Sequence, residues 1–445
     1  MPGAKMPPLR PITSVADLRR LNLDPETVRA HVIRPAHLAD VVSFRGPLDP
    51  LRGPIFEFVG TPGLYYFDAG GFGNSLHAAL KDQVAGYAMR LLHHGTPIQT
   101  RTWNWAKTLP DTSDAWASGT RMHVASVSKF ITAVAMTRLL NEKQIAIDTP
   151  IAGFLPAYWT KGPNISQITF RHLMTHRSGF VTGKSDSDFL FMKSHVAAGI
   201  GAVGSFAYEN MNFGLCRLLI ATILGAIATT ATFLLPGVDA SDVFWDYLTI
   251  NAYAGYVRDA VFTPAGVSGP TLDHPGVDAL AYNFPVSGGG WNSGDLTSMS
   301  GGVAWHMSVD DLMAVLSSVR RGGTIVSVSH AQTMLDNNFG IDEQKQTPLG
   351  WLYWKGGYWG DPMGHREQSL IYFLPSDMEM ALLTNSPVGS PERSFPDAVY
   401  NAYIANIHPA TSLRGFLIRH NLPLTSRVHP LVGPSHNSLR EMLPT

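Results

Sequence analysis

Two β-rich runs near the start of the chain are separated by a short turn. After Gln83 the sequence reads VAGYAMRLL, then HHGT, then PIQTRTWNWA. Two such runs split by a glycine-containing turn are typical of a β-hairpin. The pattern therefore predicts the first two strands of a sheet.

Three further β-rich runs stand near the end of the chain, at Gly350 to Trp359, Gln368 to Leu374 and Glu379 to Thr384. Pro375-Ser376-Asp377 separates the last two, and this composition favours a tight turn. Together with the early hairpin, these runs predict a sheet of five antiparallel strands.

The chain between these strands carries helical patterns. Ser126 to Gln144 has good helix formers and apolar residues at helical spacing, and residues 145–290 show shorter helical patterns. Ser308 and Asp311 fit a capping box before another apolar helix. Strands that flank a helical insertion indicate an α+β domain, in which a cleft between two lobes is the expected place for a site.

The sequence divides into a central domain and two extensions. The N-terminal part is rich in Pro and Gly, with one short helical pattern at Ser14 to Leu23, and the tail after about Pro409 has no clear periodicity. We therefore predict an N-terminal extension over 1–75, a domain over 76–409 and a C-terminal extension over 410–445. Within the domain, the sheet lobe covers about 76–125 and 295–409, and the helical lobe covers about 126–294.

One uncharged stretch, Leu218 to Gly237, approaches the length of about 20 residues that crosses a bilayer. It contains Gly225 and Pro236, and Arg217 is its only flanking cation. Because the stretch lies between segments of one lobe, we predict a buried helix pair rather than a membrane span.

Charge and cysteine content narrow the class of protein. The 33 Lys and Arg residues balance 34 Asp and Glu residues. The chain therefore has no excess of positive charge that would attract nucleic acid or an anionic membrane surface. Cys216 is the single cysteine, and no His/Cys pattern has metal-ligand spacing, so we expect no disulfide, metal or cofactor. Met1 to Arg20 lacks the apolar core of a secretory signal, and we therefore expect a cytoplasmic protein that acts on a small molecule.

The strongest chemical signal is the S-x-x-K sequence from Ser126 to Lys129, at the start of the predicted helix. Residues three apart share a helix face, which brings the lysine amine within reach of the serine hydroxyl. A serine needs a neighbouring base to act as a nucleophile, and a lysine serves when burial or positive charge lowers its pKa. The same spacing also occurs by chance, with the serine capping a helix and the lysine in solvent.

Two later motifs add further functional groups. Tyr208 and Asn210, in the order Y-x-N, offer a hydroxyl that can lose part of its proton beside cations and an amide that can hold a carbonyl. Lys355, Gly356 and Gly357 offer a cation and glycines that let a substrate backbone approach a strand. Taken alone, the Y-x-N residues equally fit ordinary packing and helix capping.

The ordered motifs S-x-x-K, Y-x-N and K-x-G resemble those of the class C β-lactamases, their esterase relatives and the DD-peptidases, which share one fold. The segments HVASVSK, RHLMTHRSGF, SGGVAWHMSVDDL and YFLPSDMEMALLTNS also resemble that family, over roughly Leu76 to Ile407. The resemblance implies a β-lactamase/transpeptidase-like α+β fold, with a five-stranded antiparallel sheet flanked by helices and interrupted by a mainly helical lobe.

The resemblance also assigns roles to the motif residues. Ser126 would be the nucleophile, with Lys129 and Tyr208 as the acid–base pair. Substrate binding and oxyanion stabilisation would fall to a larger set, namely the Asn210 amide, Lys355 with Gly356 and Gly357, and the backbone N–H groups of Ser126 and Tyr358. In this set Lys355 would hold the anionic or polar end of the substrate.

The third motif departs from the family pattern, in which K-T-G or H-x-G is usual. Gly356 stands in the middle position, so a substrate contact from a Thr or Ser hydroxyl is absent. His365-Arg366-Glu367 is a rival position for this motif. Its third residue would obstruct the approach of a backbone, and we therefore favour Lys355.

Other kinds of site find less support in the sequence. Ser185-Asp186-Ser187 lacks the amide of an S-D-N triplet, and no G-x-S-x-G elbow occurs. His172 and His176 share a helix face, but the glutamate of HE-x-x-H is missing, so we interpret both as structural. Seven of the 10 tryptophans are mostly core candidates, namely Trp103, Trp105, Trp291, Trp305, Trp351, Trp354 and Trp359. Tyr358 and Trp359 are also candidates for an apolar pocket.

The sequence therefore predicts an acyl-transfer enzyme that needs no metal or organic cofactor. Ser126 attacks an ester or amide carbonyl, Tyr208 or Lys129 protonates the leaving group, and water hydrolyses the acyl-enzyme. An ester or small amide is preferred over a lactam, on the expectation of a cytoplasmic protein. The alternatives are a β-lactamase or D-amino-acid peptidase, an acyltransferase, and a non-catalytic penicillin-binding or sensor module.

Overall fold

A seven-stranded antiparallel sheet forms the centre of the fold. The computed structural model describes residues 10–11, 56–59, 65–235, 238–273, 279–389 and 394–409. In chain order, the strands of this sheet are β1 Gly86–His93, β2 Thr96–Lys107, β3 Asp114–Ala115, β4 Glu343–Thr347, β5 Gly350–Gly360, β6 Arg366–Leu374 and β7 Met378–Thr384. Across the sheet they lie in the order β4-β5-β6-β7-β1-β2-β3, and every neighbouring pair is antiparallel.

The five strands that the sequence predicts are β1, β2, β5, β6 and β7, and they lie side by side in the sheet. The prediction missed the two edge strands. β4 reads EQKQT and has no apolar run, because an edge strand does not need to bury both of its faces. β3 has 2 residues, both exposed, and is too short to produce a pattern. The expected α+β class is therefore confirmed, with a wider sheet.

Helices cover both faces of the sheet. In chain order they are α1 Ala69–Leu80, α2 Ser128–Glu142, α3 Phe170–Met174, α4 Phe189–Ala198, α5 Asn210–Ile223, α6 Ser241–Val257, α7 Val309–Ser317, α8 Val328–Asp336 and α9 Ser394–Ala405. Single helical turns add Ala125–Val127, Ile151–Phe154, Ile165–Gln167, Arg258–Phe262, Thr297–Met299 and Ser318–Gly322. Most of the described helical residues between β3 and β4 belong to one large core on one face of the sheet.

Short strands join segments outside the main sheet. Phe56–Val59, Tyr65–Asp68 and Ile407–Pro409 form one small sheet, and Arg10–Pro11, Leu234–Leu235 and Val238–Asp239 form another. Met122–His123 pairs with His306–Met307, directly before the Ser126 turn. This last pair joins the segment that leads into the Ser126 turn to the segment that leads into α7.

The two faces of β6 explain why the central strands read as continuous apolar runs. Leu370 and Tyr372 pack with residues of α1 and α9, whereas Ile371 and Phe373 pack in the opposite core with α2. The ring of Phe373 lies 5.5 Å from that of Phe130 in α2, centroid to centroid. Successive side chains of a strand point to opposite faces, so a strand covered on both faces has no polar alternation.

The long uncharged stretch from Leu218 to Gly237 begins inside α5. Every residue of α5 from Asn210 to Ala221 is buried, which accounts for its apolar composition. The predicted second helix of this stretch is wrong, because the described residues after Ile223 form turns and a short strand, and α6 begins only at Ser241. Among the described residues, no helix is long and apolar enough to cross a membrane.

The remaining local predictions have different outcomes. The Ser308 capping box is confirmed, since its hydroxyl accepts the Asp311 N–H at 3.1 Å and the Asp311 carboxylate accepts the Ser308 N–H at 3.0 Å. The predicted helix at Ser14 to Leu23 and the C-terminal extension 410–445 lie outside the described residues. The predicted boundary at residue 75 falls within α1, and the division into extensions and domain stays a prediction.

Candidate active site

Ser126 lies in a helical turn, Ala125–Val127, that leads directly into α2. Its neighbours Val124, Ala125 and Val127 are fully buried, whereas Ser126 is half-buried and open on one side. Ala125 adopts a left-handed backbone conformation with φ of 45°, which is strained for a residue with a side chain. The sheet supports this turn, because the Ser369 hydroxyl donates to the Val124 carbonyl at 2.7 Å.

Lys129 is completely buried beneath this serine, three residues further along and in the first turn of α2. Its Nζ lies 2.9 Å from Ser126 Oγ, 2.7 Å from Asn210 Oδ1 and 2.9 Å from the Gly302 carbonyl oxygen. Burial lowers the pKa of Lys129 well below its ordinary value, and the positive charge of Lys355 lowers it further. Both effects favour the neutral form of the amine.

The three partners of Lys129 determine where its lone pair points. A neutral amine has two N–H donors and one lone pair, whereas the oxygens of Asn210 and Gly302 can only accept. The two donors are therefore used by these carbonyl oxygens. The lone pair is left for the hydroxyl proton of Ser126, which is the arrangement that a general base requires.

The carbonyl of Gly302 reaches Lys129 because its loop lies between two helices. The Gly301 carbonyl accepts a hydrogen bond from Thr132 of α2 at 2.7 Å. Gly301 has φ of 95°, and a Cβ there would overlap the carbonyl oxygen of Phe213 in α5. A glycine is therefore required at this position for the loop to fit.

Tyr208 lies between the two lysines. Its hydroxyl accepts a hydrogen bond from Lys355 Nζ at 3.0 Å, and the Nζ atoms of Lys129 and Lys355 lie 5.0 and 4.8 Å from its ring centroid. Burial raises the pKa of the Tyr208 hydroxyl, and this effect exceeds the opposing effect of Lys355. This direction favours the protonated hydroxyl, whereas the pKa of Lys129 is lowered. The partial ionisation of Tyr208 expected from the sequence stays a prediction.

His176 supports the ring of Tyr208 from the other side. The two rings stack with centroids 4.2 Å apart at 25°. Nδ1 of His176 accepts the N–H of Glu209 at 3.1 Å, and burial together with Lys129 lowers the pKa of the imidazole well below its ordinary value. His176 is therefore a neutral platform for Tyr208, in agreement with its interpretation as structural.

Glu209, which separates the two functional residues of Y-x-N, anchors the neighbouring loop. One of its carboxylate oxygens accepts the Thr182 N–H at 2.6 Å, and the other accepts the Thr182 hydroxyl at 2.5 Å. The residue is 4% exposed. Sequence reasoning gave Glu209 no role, because a single glutamate between two motif positions carries no spacing signal.

Asn210 is the first residue of α5, and its amide is used within the protein. Its Oδ1 accepts from Lys129, and its Nδ2 donates to the Ser185 carbonyl at 3.0 Å. The amide therefore holds the Lys129 amine in place. Its role in positioning a substrate carbonyl stays a prediction.

The K-x-G motif lies on β5, beside the turn of Ser126. Lys355 is 1% exposed and reaches Tyr208, so this residue joins the site. A Cβ at Gly357 would overlap the Val124 carbonyl oxygen and lie 3.1 Å from the Ser126 nitrogen, so only a glycine lets the strand approach this closely.

The rival placement at His365-Arg366-Glu367 does not bring its side chains to Ser126 or Tyr208. His365 pairs with Asp361 at 2.8 Å, and Arg366 donates to the hydroxyl of Tyr358. Glu367 pairs with the buried His123, also at 2.8 Å. The geometry thus favours Lys355 as the cation of the third motif.

Asp342 is a charged member of this cluster that the sequence did not reveal. Its Oδ1 lies 2.5 Å from Lys355 Nζ, and its Oδ2 accepts the Gly356 N–H at 2.9 Å. Burial opposes the charge of Lys355, but Asp342 more than compensates and raises the pKa of Lys355. Asp342 therefore favours the charged form of Lys355, whereas no carboxylate lies within hydrogen-bonding distance of Lys129 among its described partners.

A cavity of about 600 Å³ lies beside Asn210 and the end of β5. Trp359 is among its lining residues, as the sequence suggested, but Tyr358 is not. The full lining comprises Lys184, Ser185, Asp186, Asp188, Phe191, Ser298, Met299 and Trp359. The expectation that most tryptophans are core residues is wrong for Trp103, Trp105 and Trp351, which are exposed, while Trp305 is buried.

Among the described residues, no group of His, Cys, Asp and Glu side chains is arranged to hold a metal ion. His172 instead completes the cap of α3, with its Nδ1 3.2 Å from the Thr169 nitrogen. The chemical groups that converge on Ser126 are the amine of Lys129 and the phenol of Tyr208. Such a set suits nucleophilic attack on a carbonyl followed by proton transfer.

Comparison with known proteins identifies the family. The family model described as Beta-lactamase matches residues 74–402, so the chain belongs to the beta-lactamase family. The fold is correspondingly β-lactamase/transpeptidase-like.

Solved structures with this fold include three that cover most of the domain. A penicillin-binding protein homologue from Pyrococcus abyssi, described as octameric, has 17% identity and a TM-score of 0.56, covering 75% of each chain. A beta-lactamase/D-alanine carboxypeptidase from Pseudomonas syringae has 15% identity and a TM-score of 0.55, covering 75% of this chain and 98% of its own. A D-stereospecific amidohydrolase from Streptomyces sp. has 18% identity and a TM-score of 0.55, covering 76% and 98%. At these identities the likeness establishes the fold alone.

The close approach of β5 to the Ser126 turn predicts different effects at two neighbouring glycines. Gly357→Ala should lower the free energy of unfolding by about 1–3 kcal/mol, because the added methyl group collides with backbone atoms. Gly356→Ala is the matched control, since its nearest neighbours are side-chain atoms at 3.1 Å and beyond, and it should cost less. Urea denaturation measures both values, and equal costs would contradict the proposed contact.

Proposed function

We propose that the protein is a serine hydrolase that forms an acyl-enzyme on Ser126 and acts on an ester or a small amide. The observation that carries this proposal is the 2.9 Å contact of Ser126 Oγ with the Nζ of Lys129. Burial and two carbonyl acceptors leave the lysine lone pair for the serine proton. Membership of the beta-lactamase family supports the same chemistry.

In the first step, Ser126 Oγ attacks the substrate carbonyl while its proton passes to Lys129. The carbonyl oxygen becomes an oxyanion, which needs donors aimed at it. The Ser126 N–H at the start of α2 is one proposed donor. The Tyr358 N–H is the second, because Gly356 donates its N–H to Asp342 at the edge of β5, and N–H groups two residues apart point to the same edge.

In the second step, the tetrahedral intermediate collapses and the leaving group takes the proton of the Tyr208 hydroxyl. Lys355, 3.0 Å from that oxygen, stabilises the phenolate that results. The proton held by Lys129 then returns to the phenolate, so that Ser126 carries the acyl group and both bases are restored. Water hydrolyses the acyl-enzyme by the same groups in reverse.

Labelling with acylating and phosphonylating probes tests the nucleophile. Intact-protein mass spectrometry after incubation with a fluorophosphonate, and separately with a penicillin, should reveal one adduct on the wild-type protein, and peptide mapping should locate it at Ser126. Ser126→Ala should lose the adduct and at least about a thousandfold in ester turnover.

Ser329→Ala is the matched control, because Ser329 is an exposed serine near the start of α8. It should label as the wild type does. No adduct on folded wild-type protein would overturn the hydrolase and leave a penicillin-binding or sensor module, whereas rapid loss of the penicillin adduct would favour a β-lactamase. Transfer of the acyl group to an added amine or alcohol would identify an acyltransferase.

The lowered pKa of Lys129 predicts the form of the pH profile. The neutral amine is the base, so acylation is slow when Lys129 is protonated and becomes faster as pH rises through its pKa. Because that pKa lies well below the ordinary value, kcat/KM for a neutral ester should level off well before about pH 10. Lys143→Met, at an exposed lysine, should leave the profile unchanged. A rate that still rises at pH 10 would show that Lys129 is charged in the resting site.

The role of Tyr208 predicts a dependence on the leaving group. Tyr208→Phe should lower kcat/KM for an alkyl ester by about a hundredfold or more, because an alkoxide needs a proton to leave. An aryl ester with the same acyl group should lose much less, since a phenolate leaves without help. Equal losses for both esters would indicate that Tyr208 only shapes the site.

A further inference from the structure

The cluster formed by Ser126, Lys129, Tyr208 and Lys355 is covered at one end by a carboxylate of the protein itself. Asp342 precedes β4, and its Oδ1 lies 2.5 Å from the Nζ of Lys355. The side chain of Lys355 is 2% exposed, whereas that of Asp342 is 24% exposed. The charge that reaches the solvent at this end is therefore negative, although a lysine lies beneath it.

The same carboxylate covers a second donor. The Oδ2 of Asp342 accepts the N–H of Gly356 at 2.9 Å, on the open edge of β5. One carboxylate thus satisfies both an ammonium group and a backbone N–H, which together form a good binding site for an anion. A carboxylate of a substrate would have to displace Asp342 or bind beside it.

The position of the Lys355–Asp342 ion pair relative to Tyr208 indicates which part of the substrate the pair faces. Lys355 donates to the hydroxyl of Tyr208, the group proposed to protonate the leaving group. Asp342 therefore lies on the leaving-group side of Ser126. With Lys129 neutral, Lys355 and Asp342 contribute no net charge to this side.

The surroundings of Tyr208 are also apolar at the surface. Phe206 is 60% exposed and packs edge-on against His176, with ring centroids 6.1 Å apart. Val181 is 81% exposed and precedes Thr182, which Glu209 holds next to the Y-x-N motif. A neutral leaving group fits this rim better than an anionic one, because a carboxylate would lose hydration while the cation beneath it, Lys355, is already paired with Asp342.

We propose that Asp342 is a specificity-determining residue whose carboxylate occupies the cationic subsite at Lys355, so that the enzyme takes esters and amides with a neutral or cationic leaving group and discriminates against leaving groups that carry a carboxylate. The inference rests on the proposed acyl-enzyme function, because it presumes that Tyr208 and Lys355 lie on the leaving-group side.

Three aryl butyrates test this specificity. Their phenyl rings carry a carboxylate, a neutral carboxamide or a trimethylammonium group at the meta position. The wild type should prefer the neutral and cationic esters over the carboxylate ester by about tenfold or more in kcat/KM, because like charges repel at short range. Asp342→Asn should reduce this preference at least about tenfold, since it removes the charge but keeps an oxygen to accept the Gly356 N–H.

Two further variants separate charge from structure. Asp342→Glu keeps the negative charge and should keep the preference for neutral esters, even if the overall rate falls. Asp82→Asn removes an equally charged carboxylate that is 82% exposed and pairs with Lys81 rather than with the site, so it should change none of the ratios. Each ratio is compared between proteins, which cancels the intrinsic reactivity of the esters.

Benzylpenicillin and its methyl ester give an independent comparison, because they differ in the charge beside the leaving nitrogen and otherwise by a single methyl group. Wild-type protein should form the Ser126 adduct faster with the methyl ester, and Asp342→Asn should reverse or abolish that order. Thermal unfolding of each variant verifies that it is folded.

The outcomes distinguish failure of the proposed hydrolase function from failure of the specificity inference. No adduct on Ser126 with any probe would overturn the hydrolase function itself. Acylation of Ser126 with the same carboxylate-to-neutral ratio in wild type and Asp342→Asn would overturn the specificity inference alone. A preference of the wild-type protein for the carboxylate ester would also overturn the specificity inference, since the anion would then bind despite Asp342.

Discussion

The site depends on the burial of one amine. Lys129 is held by oxygen atoms of Ser126, Asn210 and Gly302, which come from three separate parts of the chain. An ammonium ion in this position would have to give up its hydration, and the two carbonyl groups offset only part of that cost. Burial therefore favours the neutral amine, and the helices packed around Lys129 exclude water from it.

The neighbours of the two lysines shift their pKa values in opposite directions. Lys129 has only neutral acceptors within hydrogen-bonding distance, and its pKa is lowered. Lys355 is equally buried but has the carboxylate of Asp342, and its pKa is raised. Tyr208 lies between them. In the proposed acyl transfer, this difference lets one residue accept a proton while another stabilises negative charge.

Sequence patterns predicted the parts of this arrangement that are local. The spacing of Ser126 and Lys129 follows from one helical turn, and the five central strands carry apolar runs long enough to recognise. Asp342 and the Gly302 carbonyl could not be predicted, because a single acidic residue before a polar edge strand and a backbone oxygen leave no pattern.

The turn of Ser126 has a consequence for biosynthesis. Val124, whose carbonyl fixes this turn, accepts from Ser369 across 245 residues of sequence, and Lys129 reaches Gly302 across 173. A chain emerging from the ribosome has its nucleophile long before it has the sheet that positions it. The contact that supports the Ser126 turn therefore forms only after β6 has been synthesised and has docked onto the earlier part of the chain.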